Sequence, residues 1–216
     1  MSWWIGVGLA GLIGLVAWQT RLLTLGGALA ATLVGASVFG AGGIAASIPM
    51  VAFFLSGSLL PRTLGRPHST EQRTASQVLA NGLAPMLCCW GVALYPALQT
   101  TFWLGYAASL ATATADTWAT EFGTRFGNPA WIITTGKRVP PGESGAVSVA
   151  GTLGGAIGAH LIAGLCIPLT GSSMQAWTAA ALGVGGMLLD SLLGATLQAR
   201  FHCHECGRIG EKPLCC

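Results

Sequence analysis

Residues 23–60 read LTLGGALAATLVGASVFGAGGIAASIPMVAFFLSGSLL and contain no charged side chain. A helix rises 1.5 Å per residue, so about 20 apolar residues are needed to cross the hydrocarbon core of a bilayer. This stretch is long enough for two such helices, and the glycine pair at 42–43 interrupts it. The sequence therefore predicts two consecutive transmembrane helices, over 23–40 and 43–60.

The composition of the whole chain agrees with a membrane protein. Of its 216 residues, 52% are hydrophobic and only 8% are charged, whereas soluble domains carry about 25% charged residues. Glycine is abundant, with 32 residues, and the pairs Gly151/Gly155 and Gly154/Gly158 have the small-xxx-small spacing that suits close helix packing in lipid. These properties exclude a water-soluble globular protein.

Hydropathy predicts seven transmembrane helices in an all-α, polytopic membrane helix bundle. The five further segments are 2–18, 77–96, 99–121, 147–169 and 175–197. The first lacks a basic n-region and a cleavage signature, so we expect a retained helix rather than a signal peptide. Hydrophilic loops cover 61–76 and 122–146. We expect a transmembrane domain over 1–199 and a tail rich in cysteine and histidine over 200–216.

The basic residues predict the orientation of the bundle. The chain has ten lysines and arginines and a formal net charge of +3. With seven helices, all ten lie on one side of the membrane or at its margins, and the turns at 41–42, 97–98 and 170–174 carry none. The positive-inside rule makes that side cytoplasmic. We therefore expect an integral, multi-pass membrane protein with its N-terminus outside.

Two aspartates lie within predicted membrane helices, near the cytoplasmic side. Asp116 is in the segment 99–121 and Asp190 in the segment 175–197. Ionisable side chains at such depth are costly, and they usually face an interior cavity or a functional site. We expect the two carboxylates to meet in one pocket that opens to the cytoplasm.

Helical periodicity places further polar residues on the same helix face as each aspartate, and it also predicts a third polar stripe that ends at Asn81. One stripe contains Ser109, Thr112, Asp116 and Thr120, with Glu121 just beyond; a second contains Asp190, Ser191, Gly194 and Gln198; a third contains Arg73, Gln77 and Asn81. The alternative is that these groups only hydrogen bond to one another between helices. All three stripes lie at one depth, however, which favours a site that is reached from the cytoplasm.

The loop 134–148 has the character of an anion-binding segment. It reads TTGKRVPPGESGAVS, contains Lys137, Arg138, Gly142 and Gly145, and ends at Ser148, just before a predicted helix. Backbone N–H groups and the positive dipole end of a helix suit a phosphate group, and the two cations add charge-assisted contacts. The loop is not a P-loop, because the order Gly-x-x-x-x-Gly-Lys-Ser/Thr is absent. The alternative is that it is only a flexible turn at the membrane surface.

Carboxylates that face bound phosphate require a cation between them. Mg²⁺ binds through one or two carboxylates and the oxygens of substrate phosphates. We therefore expect Asp116 and Asp190 to hold Mg²⁺, assisted by Glu121. This combination indicates phosphoryl or nucleotidyl transfer at the membrane surface, where catalysis is chiefly positioning and charge neutralisation.

The chain contains seven cysteines, and three of them, at 88, 89 and 166, lie in predicted membrane helices as packed thiols. The remaining four, Cys203, Cys206, Cys215 and Cys216, have spacings that could form a Zn²⁺ site in the tail. The alternative is a reduced tail without a metal. A disulfide is not expected on the cytoplasmic side.

Four motifs in order resemble the phytyl-phosphate kinase family of integral membrane proteins, which is related to CTP-dependent polyprenol kinases. They are Arg73…Gln77…Asn81-Gly82, the run Ala115-Asp116-Thr117-Trp118-Ala119-Thr120-Glu121, the loop 141–148 with Gly151-Thr152, and the run 190–198, DSLLGATLQ. The resemblance covers roughly residues 22–216. Members of that family tend to continue beyond the cysteine-rich tail, so we expect this chain to be a shorter form.

The resemblance implies a kinase-like membrane domain that transfers a phosphoryl group from a nucleotide, CTP by preference, to phytyl phosphate or a similar isoprenyl monophosphate. Asp116, Glu121 and Asp190 would be catalytic. Nucleotide or acceptor would contact Arg73, Gln77, Asn81, Thr120, Lys137, Arg138, Gly142, Gly145, Ser148, Ser191 and Gln198. The partners are then a nucleoside triphosphate, an isoprenyl phosphate of tocopherol or quinone synthesis and membrane lipid, with no nucleic acid.

Three other functions stay open at this point. A cytidylyltransferase would release pyrophosphate and form a CDP-lipid from the same kind of site. A small transporter or channel also uses intramembrane carboxylates, but it predicts polar groups that continue to the outer face and helices broken near the midplane. A purely structural membrane scaffold would not align three polar stripes.

Overall fold

The computed structural model describes residues 3–65 and 72–198, and the backbone of 201–202 and 209–210. In these ranges the chain forms seven α-helices and a short 3-10 helix, Pro96–Leu98, that joins the third helix to the fourth. The helices are α1 (Trp3–Gln19), α2 (Leu25–Thr63), α3 (Ala75–Leu94), α4 (Gln99–Phe126), α5 (Val149–Leu165), α6 (Ile167–Thr170) and α7 (Ser173–Thr196).

Helix α2 consists of two arms that meet at Gly43. The backbone there has φ 68° and ψ −164°, a conformation that glycine adopts far more readily than residues with a Cβ. The chain reverses at this point. The end of α2 returns to the level of its beginning, as shown by the hydrogen bond that Arg62 donates to the carbonyl of Thr20 at 3.3 Å. Phe54 likewise packs in the cluster that contains Leu23. The prediction of two consecutive helices, broken at the glycine pair, is confirmed.

The chain is an all-α helical membrane bundle. Among the described helices, α2, α3 and α7 are long and apolar enough to cross a membrane by length and composition. Helices α1 and α5 are apolar but have 17 residues each, about 26 Å at the rise of an α-helix. Helix α4 has 28 residues, carries the polar stripe of Asp116, and packs against α2, α3, α5 and α7. The most polar helix is therefore the central one.

Two predicted helix ends differ from the structure by four residues or more. Helix α4 continues to Phe126, five residues beyond the predicted end at 121, so Glu121 lies within the helix. The predicted helix 147–169 is broken, since α5 ends at Leu165 and α6 begins at Ile167. Pro168 explains the break, because proline lacks the N–H that would continue the ladder and its ring clashes with the preceding turn.

The connection from α4 to α5, predicted as a loop, contains a small antiparallel sheet. Its strands are β1 (Ala130–Ile132), β2 (Arg138–Val139) and β3 (Ala146–Val147), in the order β2-β1-β3. Trp131 pairs with Arg138 on one side and with Val147 on the other. Strands of two or three residues are too short for an alternating pattern, so the sequence did not predict them. The backbone of β4 (Phe201–His202) and β5 (Ile209–Gly210) forms a further antiparallel pair.

The bundle is packed through small side chains and exposes large ones. Helix α5 shows this pattern most clearly. Its exposed face carries Val149, Leu153, Ile157 and Leu161, whereas its buried face carries Gly151, Gly154, Gly155, Gly158 and Ala159. A Cβ on Gly151 would lie 2.9 Å from the carbonyl oxygen of Ala119, so the two backbones nearly touch. The expectation from the small-xxx-small spacing is confirmed, and the large apolar side chains are left for lipid.

Candidate active site

The two membrane-embedded aspartates meet between α4 and α7. The carboxyl groups of Asp116 and Asp190 lie close enough to interact directly. Glycines on α7 allow this approach, because a Cβ on Gly183 would lie 2.7 Å from the Cβ of Ala111, and one on Gly186 would lie 2.5 Å from the Cγ2 of Thr112. Close contact one to two turns before Asp190 thus brings its side chain to that of Asp116.

Both aspartates line a cavity of about 550 Å³ that is bounded by α4, α5, α7 and the loop 142–148. The structure brings eight of the predicted site residues to this cavity: Asp116, Thr120, Gly142, Gly145, Ser148, Asp190, Ser191 and Gln198. They come from three separate parts of the chain. The cavity therefore unites the α4 stripe, the α7 stripe and the glycine-rich loop.

The loop 142–148 is fixed to the end of α7. Gly142 and Gly145 have φ values of 89° and 75°, in the left-handed region that favours glycine. The hydroxyl group of Ser144 donates a hydrogen bond to the Oε1 atom of Gln198 and lies 3.5 Å from the carbonyl oxygen of Gly194. The loop is thus attached to the helix that carries Asp190.

The N-terminus of α5 forms another wall of the cavity. Ser148 is the N-cap residue, and its Oγ atom accepts a hydrogen bond from the N–H of Gly151 at 3.1 Å. This bond satisfies one of the free N–H groups of the first turn. Gly151 and Thr152 both line the cavity, so the positive end of the α5 dipole faces it.

The charge of the cavity is negative. Among the described residues that line it, Asp116, Glu143 and Asp190 are acidic and none is basic. Two carboxylates as close as Asp116 and Asp190 repel when both are ionised, so the arrangement requires a proton or a cation between them. Hydroxyl groups of Thr120, Thr124, Thr152 and Ser191 supply neutral donors and acceptors around the pair.

The third predicted stripe lies elsewhere. Arg73, Gln77 and Asn81 line a separate apolar cavity between α1, α2 and α3, because α3 packs against α2 and α4, on the side away from α5 and α7. Burial lowers the pKa of the Arg73 guanidinium, and the nearby Glu121 carboxylate raises it. Glu121 does not line the acidic cavity, since it follows Thr120 and points about 100° further round α4.

Lys137 and Arg138 also lie away from the acidic cavity. The sheet order explains this, because β1 separates β2 from β3 and only β1 and β3 contribute lining residues. Both side chains are exposed, and Nη2 of Arg138 donates a hydrogen bond to the side chain of Asn128 at 3.4 Å. Of the loop residues predicted to contact phosphate, Gly142, Gly145 and Ser148 therefore line the cavity, and these two cations do not.

Four polar residues that line the cavity were not among the predicted site residues, although three of them lie in the predicted motifs: Thr124, Glu143, Ser144 and Thr152. Two of them follow the helical period, since Thr124 lies one turn beyond Thr120, and Thr152 one turn beyond Ser148. The predicted end of the fifth helix at 121 concealed the first. The proposed zinc ligands Cys203, Cys206, Cys215 and Cys216 lie outside the described residues.

Comparison with known proteins identifies the family. A family model described as integral membrane protein DUF92 matches residues 8–215. The chain belongs to this DUF92 family. The resemblance drawn from the four motifs is thereby confirmed. No solved structure matches the chain.

Relatives of the DUF92 chain occur in archaea, cyanobacteria and plants. An uncharacterised membrane protein of Methanocaldococcus jannaschii is 31% identical over 192 residues, which cover 84% of this chain and 77% of the relative. A second, from Synechocystis, is 31% identical over 202 residues, covering 84% and 74%. Protein VTE6, chloroplastic, of Arabidopsis thaliana is 28% identical over 153 residues, covering 65% of this chain and 46% of the plant protein.

Proposed function

We propose that this protein is a phosphotransferase that converts an isoprenyl monophosphate, such as phytyl phosphate, into its diphosphate at the cytoplasmic face of the membrane. The phosphoryl donor is a nucleoside triphosphate, CTP by preference. One observation carries the proposal: the side chains of Asp116 and Asp190 converge in one cavity that is walled by a glycine-rich loop and a helix N-terminus.

The donor set fits Mg²⁺. Among the described residues, no group of three or more His, Cys, Asp or Glu side chains forms a complete metal site. Mg²⁺ does not need one, since it binds through one or two carboxylates and takes further ligands from phosphate oxygens and water. A cavity whose described lining has acidic but no basic side chains admits a triphosphate only together with cations. Asp116 and Asp190 would hold the metal ion.

The residues of the cavity have separable roles in this proposal. When bound, Mg²⁺ supplies positive charge that offsets the charge developing on the phosphate oxygens. The backbone of the loop around Gly142 and Gly145 and the first turn of α5 bind phosphate oxygens through N–H groups. The hydroxyl groups of Thr120 and Ser191 lie beside the aspartates and orient the phosphate chain by hydrogen bonds.

The reaction breaks one bond and forms one. The bond between the terminal phosphorus of the nucleotide and its bridging oxygen breaks, and an oxygen of the acceptor monophosphate forms a new bond to that phosphorus. The nucleoside diphosphate leaves, and the isoprenyl diphosphate remains. Because such transfer needs little covalent help from the protein, positioning and charge stabilisation supply most of the catalysis.

The motif pattern supports the same activity. Residues from the α4 motif, the loop motif and the α7 motif line one cavity, although Asp116 and Gln198 are 82 positions apart in sequence. A purely structural role would not require these motifs to meet. Family membership adds that the relatives are also membrane proteins.

The test uses purified protein in lipid nanodiscs with radiolabelled CTP, Mg²⁺ and phytyl phosphate. Wild type is expected to form phytyl diphosphate and CDP. Asp116→Asn and Asp190→Asn are each expected to lower kcat by about 100-fold or more, as expected when a group that stabilises transition-state charge is removed. Thr178→Val, near the other end of α7, is the control, because among the described residues its hydroxyl donates to the carbonyl of Met174 in its own helix and does not line the cavity.

Product analysis decides between the two chemistries. Release of pyrophosphate together with a CDP-lipid would replace the kinase assignment by a cytidylyltransferase. Equal diphosphate formation by wild type and by both aspartate variants would refute the assignment of this cavity as the active site. Ion flux into liposomes in the absence of nucleotide would indicate a transporter instead.

A further inference from the structure

A second cavity, which we call the apolar slot, lies between α1, α2 and α3 and has a volume of about 190 Å³. Apolar side chains and glycines form most of its lining; the polar side chains are Ser47, Arg73, Gln77 and Asn81. Leu9 and Ile13 line the slot and are also 43% and 41% exposed. The slot therefore opens toward lipid and has one charged end.

The backbone and side chain of Arg73 are both held in place. Its N–H donates to the carbonyl of Leu22 at 3.0 Å, and its carbonyl accepts from the N–H of Thr24 at 3.1 Å. Its Nη2 atom donates to the carbonyl of Gly57 at 2.9 Å, and the guanidinium lies 5.8 Å from the centre of the Phe53 ring. A guanidinium has five N–H donors, so donors remain for a ligand at the end of the slot, beside the nearby Glu121 carboxylate.

The charged end of the slot adjoins the helix that carries Asp116. A Cβ added to Gly57 would lie 2.7 Å from Nη2 of Arg73 and 3.3 Å from Cγ2 of Thr117. Thr117 follows Asp116, and the two residues differ by about 1.5 Å in height along α4. The guanidinium and the aspartate pair therefore lie at one level on adjoining sides of a single helix.

The shape and charge of the slot specify its ligand. A phosphate at Arg73 can make bidentate, charge-assisted hydrogen bonds. Gln77 lies one turn along α3 and accepts a hydrogen bond from the N–H of Thr74 through its Oε1 atom, and Asn81 lines the slot one turn further on. From there the lining positions Ala31, Val34 and Val38 ascend α2 in steps of about one turn. A molecule with one anionic phosphate and one long hydrocarbon tail, lying partly in lipid, matches this arrangement.

We propose that the apolar slot binds the hydrocarbon tail of the isoprenyl monophosphate acceptor, and that Arg73 binds its phosphate. This inference rests on the proposed phosphotransferase function and adds the position of the acceptor. The nucleotide then binds on the α5 and α7 side of α4, and the lipid binds on the α1 and α3 side. The acceptor enters from the bilayer and never has to leave it.

Binding is measured first, without nucleotide, by titrating detergent-solubilised protein with phytyl phosphate in native mass spectrometry. Phytol, which has the tail without the phosphate, is the comparison ligand. Ala31→Phe fills the slot, whereas Leu33→Phe adds the same ring on the lipid side of the same helix, where Leu33 is 60% exposed. Arg73→Gln removes the charge, and Arg73→Lys retains it.

Ala31→Phe and Arg73→Gln are each expected to weaken phytyl phosphate binding by about tenfold or more, since the first removes the space for a hydrocarbon segment and the second removes a charge-assisted hydrogen bond. Leu33→Phe is expected to bind like wild type, Arg73→Lys to keep most of the affinity, and phytol to bind more weakly than its phosphate. Val78→Phe fills the slot from α3 and replaces Ala31→Phe if that variant does not purify as a single species.

Turnover separates the two proposals. Unchanged phytyl phosphate affinity and KM in both the slot-filling variant and Arg73→Gln, with normal wild-type turnover, would overturn the slot and leave the phosphotransferase intact. Equal binding of phytol and phytyl phosphate would overturn the role of Arg73. Tight, Arg73-dependent binding with no diphosphate formed from any nucleotide would retain the slot and refute the phosphotransferase.

Discussion

Gly145 packs directly against the backbone of Ala195. A Cβ added to Gly145 would lie 2.5 Å from both the Cα and the N of Ala195, and the residue has φ 75°. No side chain fits between this turn and α7. The contact holds the loop 142–148 against the helix that carries Asp190, so two walls of the acidic cavity are joined at one glycine.

Replacing Gly145 by alanine is expected to separate the loop from α7. The added methyl group clashes with backbone, which cannot move aside as a flexible side chain would. The left-handed conformation of an alanine costs a further free energy of about 1–2 kcal/mol. We expect kcat/KM for the nucleotide to fall by about tenfold or more, since a displacement of about 1 Å can cost that much. The measurement is steady-state kinetics in nanodiscs.

Gly136→Ala is the matched control for this prediction. Gly136 lies in the same connection with φ 64°, and a Cβ there meets nothing within 4 Å. It therefore has the same conformational strain without the clash. Equal losses of kcat/KM in the two variants would show that strain, rather than the contact with α7, controls the cavity.

The aspartate pair predicts a change of metal preference in a cysteine variant. Asp190→Cys replaces a hard carboxylate by a soft thiolate, which binds Mg²⁺ poorly and Cd²⁺ well. We expect its phosphotransferase activity to be lost with Mg²⁺ and to recover in part with Cd²⁺, whereas wild type prefers Mg²⁺. The measurement is initial rate against metal concentration after removal of bound metal by EDTA.

Thr178→Cys, in the same helix but away from the cavity, tests whether a new thiol alone creates Cd²⁺ dependence. It is expected to keep the Mg²⁺ preference of wild type. If Asp190→Cys shows no gain with Cd²⁺ at any concentration, Asp190 does not bind the catalytic metal ion.

The helices and the aspartate pair could be predicted from the sequence because both depend on local patterns. Apolar length predicts a membrane helix, and the 3.6-residue period places Asp116 and Thr120 on one face. Even the reversal at Gly43 was visible, since a glycine pair interrupts an otherwise continuous apolar run. The aspartates meet because α7 has glycines where it crosses α4.

The cavity that each polar stripe faces could not be predicted from the sequence, because it depends on which helices pack together. The period gives the face on which Arg73, Gln77 and Asn81 lie, but not that α3 packs away from α5 and α7. Lys137 and Arg138 were predicted as phosphate contacts from their position in the loop alone. The sheet that carries them to its far edge consists of strands too short to be seen in sequence.

The glycine face of α5 predicts a sharp contrast between two alanine substitutions. A Cβ on Gly155 would lie 2.7 Å from the carbonyl oxygen of Ala115 and would also clash with the sulfur of Met187. We expect Gly155→Ala to lower the free energy of unfolding by about 1–3 kcal/mol, as overpacking does. The measurement is unfolding in mixed micelles with increasing SDS.

Gly164→Ala is the control, because Gly164 is in the same helix and a Cβ there meets nothing within 4 Å. It is expected to leave stability unchanged or to raise it by up to about 1 kcal/mol, the difference in helix propensity between the two residues. Equal destabilisation by both variants would show that α5 does not depend on close approach to α4.

The orientation of the bundle predicts which loops an impermeant reagent reaches in intact cells. The described basic residues lie at one end of the bundle, where Arg62 contacts Thr20 and Arg73 contacts Leu22. In a variant whose four tail cysteines are replaced by serine, an impermeant maleimide added outside is expected to label Ser173→Cys. Thr135→Cys is expected to react only after the membrane is permeabilised.

This outcome bears directly on the chemistry, because nucleoside triphosphates are supplied from the cytoplasm. Thr135 belongs to the connection whose glycine-rich part walls the acidic cavity, whereas Ser173 begins α7 at the opposite end from Asp190. Labelling of Thr135→Cys from outside, with Ser173→Cys protected, would place the cavity away from its phosphoryl donor. The phosphotransferase proposal would then fail, even with both aspartates correctly placed.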